Sequence, residues 1–127
     1  MGALMASRLK ADLVASGPAP FLPGVTVADY LRAAMSARGL GGRQSRMLVR
    51  EGLALLSLDE AFLRRCVGEK WARRDQSFFL LLELCCLKPK VAELRVRFEG
   101  LGSADSERAA RVLRFLKENG MELRVRS

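Results

Sequence analysis

A chain of 127 residues, half of them hydrophobic and 28% charged, is long enough to bury a core and too apolar to be disordered. Its formal charge of +8 favours an anionic partner, nucleic acid or a membrane surface. With no histidine in the sequence, Ser–His and Cys–His nucleophile pairs and imidazole metal sites are excluded.

Residues 3–16 read as a first helix, with Met5, Leu9 and Leu13 on one side and Gly17-Pro18 at its end. No unbroken apolar run precedes Ser16, so no secretory leader is expected. Pro18, Pro20 and Pro23 stiffen the following loop, in which Phe21 and Leu22 plug the core. Thr26 and Asp29 form a capping box, and Val27, Tyr30, Leu31, Ala34 and Met35 give a helical stripe over 27–38. Gly39 to Gly42 breaks this helix, and a second runs over 43–56 with Leu48, Val49, Leu53, Leu55 and Leu56 as a wide apolar face. Ser57 and Glu60 repeat the capping pattern and open a helix over 58–74. Its apolar side carries Leu58, Phe62, Leu63, Cys66, Val67 and Trp71, and its outer side Arg64, Arg65, Lys70, Arg73 and Arg74. Asp75 caps the next helix, 76–87, which is apolar around nearly its whole circumference and should be buried on all sides. Phe78 to Leu87 is too short to cross a bilayer.

The C-terminal part is organised by a repeated pentapeptide, Glu93–Arg97 and Glu122–Arg126. Ala92, Leu94, Val96 and Phe98 alternate with Glu93, Arg95, Arg97 and Glu99, and Met121, Leu123 and Val125 alternate with Glu122, Arg124 and Arg126. That is the period of strands with one buried face. Between them, Ala109, Val112, Leu113 and Leu116 form a helical stripe, opened by Ser103 and closed by Asn119-Gly120. A helix returning between two strands makes them parallel. Two strands make a poor sheet, so Gly24–Val27, a second subunit or a partner peptide is expected to add to it. The repeat spacing also fits a leucine-rich-repeat frame at Val91, Leu94, Val96 and Leu101, with Glu99 at the Asn position, but a solenoid needs about three units. The fold expected is α+β in a single domain, 1–127: a helical body of about five helices, 1–88, on a β-α-β unit, 91–127.

Chemistry is sparse. Cys66, Cys85 and Cys86 are an odd set inside apolar runs, which reads as buried free thiols in a reducing compartment, cytoplasm or nucleus. No Gly-x-x-x-x-Gly-Lys-Ser/Thr phosphate loop occurs. Asp59, Glu60, Asp105 and Glu107 sit where first helical turns attract acids. Glu83 stands alone on an apolar helix, a catalytic carboxyl with a raised pKa, a partner for an arginine or a group facing a rim. No catalytic residue, metal or cofactor is expected, and the chain reads as a non-enzymatic protein.

The sharpest binding pattern is the helix pair around the glycine turn, which has helix-turn-helix proportions. Arg43, Arg46 and Arg50 share one face with Gln44 beside them, side chains suited to guanine and adenine edges. The segment Met47-Leu48-Val49-Arg50-Glu51-Gly52-Leu53 is similar to the second helix of ribbon-helix-helix regulators, although FLPGVTV lacks the alternation of that family's reading strand. Net charge and this arginine stripe lead to the expectation of nucleic-acid binding as a homodimer. Arg64, Arg65, Arg73, Arg74, Arg95, Arg97, Arg124 and Arg126 are the candidate phosphate contacts. The alternative at the helix pair is an αα-hairpin with a wet polar side. The expectation is thus an intracellular, nucleic-acid-binding regulatory or accessory protein. The other function class is a protein–protein interaction module, an adaptor docking a partner through an open sheet edge or through the 76–87 helix.

Overall fold

A computed structural model of the chain describes residues 13–16, 22–68, 70–94 and 101–125, with 13–16 and Val125 for backbone only. Three parallel strands, β1 (Leu13–Ser16), β2 (Val91–Leu94) and β3 (Glu122–Val125), form a sheet with β2 in the middle. Helices α1 (Val27–Ala37), α2 (Gly42–Leu56) and α3 (Arg73–Leu87) lie between β1 and β2, and α4 (Ser103–Glu118) crosses from β2 to β3. The α+β expectation holds in this coarse form; among the described residues three α-helices and a 3-10 turn, rather than about five helices, precede the crossover unit, and its own helix makes four α-helices in all.

The β-α-β unit follows from its alternation. Ala92 and Leu94 are fully buried, and in register they neighbour Leu123 and Val125. The opposite face pairs Val91 with Glu122 and Glu93 with Arg124. α4 covers the apolar side with Ala109, Val112 and Leu116. Gly102, not Ser103, occupies its N-cap position.

The third strand does not come from Gly24–Val27. It comes from Leu13–Ser16, which pairs with β2 from Leu13↔Val91 to Ser16↔Leu94. The end of the expected 3–16 helix is therefore a strand, and its earlier part, like Phe21 in the proline loop, lies outside the described residues. The expected 58–74 helix is also absent. In its place stand a short 3-10 turn, Glu60–Arg64, and an extended stretch in which Cys66 bridges antiparallel to Thr26. The backbone shows why: Val27 N–H donates to Arg65 O at 2.9 Å, Val67 N–H to Val25 O at 2.9 Å, and Leu22 N–H to Val67 O at 3.1 Å. Gly68 and Lys70 then take positive φ, which no α-helix continues through. Ser57 ends α2 in the left-handed region instead of capping a new helix, while Asp59 caps the 3-10 turn by accepting from Ala61 N at 2.9 Å. Phe62 and Trp71 are nonetheless in the core, as their apolar character requires.

α1 starts where the sequence places it, with Thr26 Oγ1 accepting from Asp29 N at 3.1 Å. α3 is the buried centre: Phe78, Leu81, Leu82, Leu84 and Cys86 are each fully buried. It begins at Arg73 with Ala72 at its cap, so Asp75 lies inside the first turn. Because α3 is enclosed, it offers no apolar face on which a partner could dock.

Candidate functional site

Chain direction fixes which end of this molecule is chemically polarised. β2 leads into α4, so the N-terminus of α4 lies toward the C-terminal end of the sheet. α3 ends only three residues before β2 begins and so runs back along it, which brings the N-terminus of α3 to the same end. Parallel strands ending together beside helix N-termini form the concave, electropositive edge where α/β sheets hold ligands.

Five charged side chains tie these two helix starts together. Arg74 Nε donates to Asp105 Oδ2 at 2.8 Å, and its Nη1 lies 3.5 Å from Asp75 Oδ1. Arg65 reaches Asp75 Oδ2 at 3.1 Å, and Arg108 reaches Asp105 Oδ1 at 3.7 Å. Asp75 and Asp105 both stand in first helical turns, where the macrodipole favours a negative charge. The cations also use ring faces: Arg74 and Arg108 lie 4.7 and 5.7 Å from the centroid of Phe78, and Arg65 lies 5.4 Å from Trp71 and 5.8 Å from Phe62.

This arrangement sorts the arginines singled out from the sequence. Arg65 and Arg74 are held by Asp75, Asp105 and aromatic rings. Arg64 and Arg73 are exposed, Arg64 on the 3-10 turn and Arg73 at the first position of α3. Arg124 pairs with Glu122 at 3.0 Å on the sheet's polar face. Arg95, Arg97 and Arg126 lie outside the described residues. Arg43, Gln44, Arg46 and Arg50 are exposed along α2, and Arg46 and Arg50 line a cavity of about 250 Å³ between α1, α2 and the 3-10 turn. The site residues that the sequence did not supply are Asp75 and Asp105 in their bridging role, because the α3–α4 contact is visible only once both helix directions are known.

Among the described residues Glu83 has no arginine or lysine ion-pair partner. It hydrogen-bonds the Tyr30 hydroxyl across the α1–α3 contact, and burial pushes its carboxyl above the usual range, with the Tyr30 bond opposing the rise. Burial first, and then the negative Glu83, push Tyr30 up to about 12. No group of three or more potential metal ligands occurs among the described residues, and no described helix is long and apolar enough to cross a membrane.

A parallel sheet with helix N-termini gathered at its C-terminal end is a recurrent α/β arrangement. Solved structures share this fold. The chain superposes on an ATP-binding subunit of an ABC transporter with a TM-score of 0.77, covering 96% of this chain and 51% of that one at 15% identity. An ABC-transporter ATP-binding protein from Pyrococcus furiosus matches with a TM-score of 0.68, covering 94% and 58% of the two chains at 15% identity. A protein described as a cobalt-transport ATP-binding protein matches with a TM-score of 0.64, over 91% and 42%, at 25% identity. The chain thus spans about half the length of these neighbours. No family model and no curated protein matches the sequence.

These likenesses overturn the expectation of a non-enzymatic, DNA- or nucleic-acid-binding regulatory protein: the fold is that of transporter ATP-binding subunits. The physical reason agrees. The helix-turn-helix proportions around Gly39 arise from an αα-hairpin, and Arg65, Arg74 and Arg124 are already neutralised by carboxylates.

Proposed function

We propose that the chain supplies one half of a transporter-type ATP-binding subunit, contributing the sheet edge and the two helix starts that border a nucleotide. The single observation carrying this reading is the fold likeness over 96% of the chain to an ATP-binding subunit. It is supported by the common polarity of β1, β2 and β3 with α3 and α4. Arg73 and Arg74 are both exposed in the first turn of α3 beside that edge. The 127 residues contain no Gly-rich loop followed by Lys-Ser/Thr, which is the part of such a site that wraps the phosphates. A complete site on this reading takes that loop from a segment or subunit outside these 127 residues. A second copy of these 127 residues lacks the same loop, so on this reading the complement is a different segment or a different subunit.

The test is photolabelling of the native assembly, recovered through a tag on this chain, with an ATP analogue bearing a photoreactive group on its terminal phosphate. Label on the first turns of α3 or α4, competed by unlabelled ATP, is the expected result. Label confined to other polypeptides, or none competed by ATP, overturns the proposal.

A further inference from the structure

We infer that a cavity at the start of the sheet, opposite the nucleotide edge, binds a small carboxylic acid with an aromatic body. α3 ends at Leu87 just before β2 begins, and α4 ends at Glu118 just before β3 begins. Their C-cap residues, Lys88 and Asn119, therefore meet at the N-terminal end of the strands, around a cavity of about 260 Å³. One wall is the turn Lys88-Pro89-Lys90, and the other is Phe115 with the turn from Asn119 to Met121. Backbone bonds fix both walls without a ligand. Glu122 N–H donates to Lys90 O at 2.8 Å, and Asn119 Nδ2 donates to Phe115 O at 2.7 Å, closing the last turn of α4. Pro89 anchors the first wall by being fully buried.

Charge and shape select the ligand. The ammonium groups of Lys88 and Lys90 line the cavity, and no acid among the described residues does. Lys88 has no ion-pair partner among the described residues. Of the acids that flank the second wall in sequence, Glu122 is taken by Arg124 at 3.0 Å, and Glu118 borders a different depression along α4. Phe115 presents a ring that is 39% exposed, with Met121 and the lysine stems as further apolar surface. A carboxylate between the ammonium groups, with a ring against Phe115, uses all of these features. The volume lies just below the roughly 300–1,000 Å³ of typical small-molecule sites, which suits a single ring. Phosphate esters fit less well. Doubly charged groups settle at helix N-termini, where N–H groups converge. Here two helix C-termini converge, and their partial negative charge opposes a second negative charge on the ligand.

The experiment titrates the isotope-labelled whole chain with sodium benzoate and follows backbone amide shifts by NMR. Benzamide keeps the shape without the charge, acetate the charge without the ring, and phenyl phosphate carries the second charge. Saturable benzoate shifts confined to the Lys88–Lys90 and Phe115–Met121 segments are expected, with the other three probes weaker. Lys88→Gln/Lys90→Gln and Phe115→Ala, all at exposed positions, should each weaken benzoate roughly tenfold or more. Arg46→Gln/Arg50→Gln removes the same charge from α2 and should bind as wild type does. Circular dichroism establishes that each variant is folded. The assignment is overturned by the absence of saturable shifts, by shifts spread over the basic surface, by equal binding of acetate or benzamide, by tighter binding of phenyl phosphate, or by variants at the cavity that bind like wild type. No nucleotide is present, so failure here leaves the nucleotide proposal standing, and the photolabelling result leaves this one standing.

Discussion

The side chain of Arg74 joins the first turns of two helices, donating from Nε to Asp105 Oδ2 at 2.8 Å. It is 43% exposed and Asp105 21%, so solvent screens the pair and its contribution is modest. Asp105→Ala should destabilise the fold by about 1 kcal/mol, part of it from the lost acid at the α4 N-terminus. Urea unfolding of Asp105→Ala, Arg74→Ala and the double variant, at low and high salt, measures the coupling. A coupling that vanishes even at low salt would mean the bond does not hold the two helix starts together.

Gly52 sits where α2 presses on α3. A Cβ at this position would lie 2.7 Å from Leu82 Cδ1 and 3.2 Å from Cys85 Cβ, and both side chains are buried. Alanine normally gains about 1 kcal/mol over glycine inside a helix. Here the overpacking cost of about 1–3 kcal/mol should outweigh that gain. Gly52→Ala is therefore expected to lower the thermal midpoint, and Gly52→Val to lower it much further. A midpoint raised by alanine would show that α2 and α3 have room to separate.

Elements that rest on local signals were legible in the sequence. The Thr26 cap, the stripe of α1, the all-apolar α3 and the alternation around Ala92 and Leu94 each specify their element within a few residues. What was hidden depends on distant partners. Leu13–Ser16 becomes a strand only because β2 lies beside it, and Arg65–Val67 gives up helical bonding for the Leu22–Val27 segment. Phe62, Val67 and Trp71 are buried either way, so periodicity did not separate helix from loop there, although Gly68 was a signal against helix. The same holds for the site. The arginine stripe of α2 was visible, but the groove it borders needs α1, and the nucleotide edge needs the relative directions of α3, β2 and α4.

Arg65 lies 5.4 Å from the ring of Trp71, the one tryptophan, and 3.1 Å from the Asp75 carboxylate. Lysine offers neither the planar stacking surface nor the fork geometry of a guanidinium. Arg65→Lys and Arg65→Ala should both destabilise, the alanine form by about 1–2 kcal/mol given partial exposure. Both should shift Trp71 emission to the red by admitting water. An unchanged emission maximum with unchanged stability would show that the stack contributes nothing.

The cysteines differ in access. Burial, foremost, pushes Cys85 up to about 11 and Cys86 up to about 12, so neither forms thiolate near neutrality. Cys66 is half-buried beside the Thr26 bridge. A disulfide-exchange reagent should modify Cys66 in the native protein and reach Cys85 and Cys86 only on unfolding. Rapid native labelling of all three would contradict the enclosure of α3.

Glu83 makes stability depend on pH in a defined direction. Its folded pKa is raised from 4.5, chiefly by burial, with the Tyr30 hydrogen bond pulling the other way. The folded state therefore retains a proton that the unfolded chain has already released. Linkage then requires stability to fall as pH rises from about 4.5 through the folded value, and to level off above it. Glu83→Gln keeps a hydrogen-bonding side chain of similar shape without the titration, so its stability curve should lack that fall. Tyr30→Phe removes the hydroxyl that favours the carboxylate, so the decline should extend to higher pH. Urea unfolding across this range, followed by Trp71 fluorescence, compares the three proteins. Parallel curves for wild type and Glu83→Gln would show that the Glu83 carboxyl is hydrated in solution and that α1 and α3 are not sealed around it.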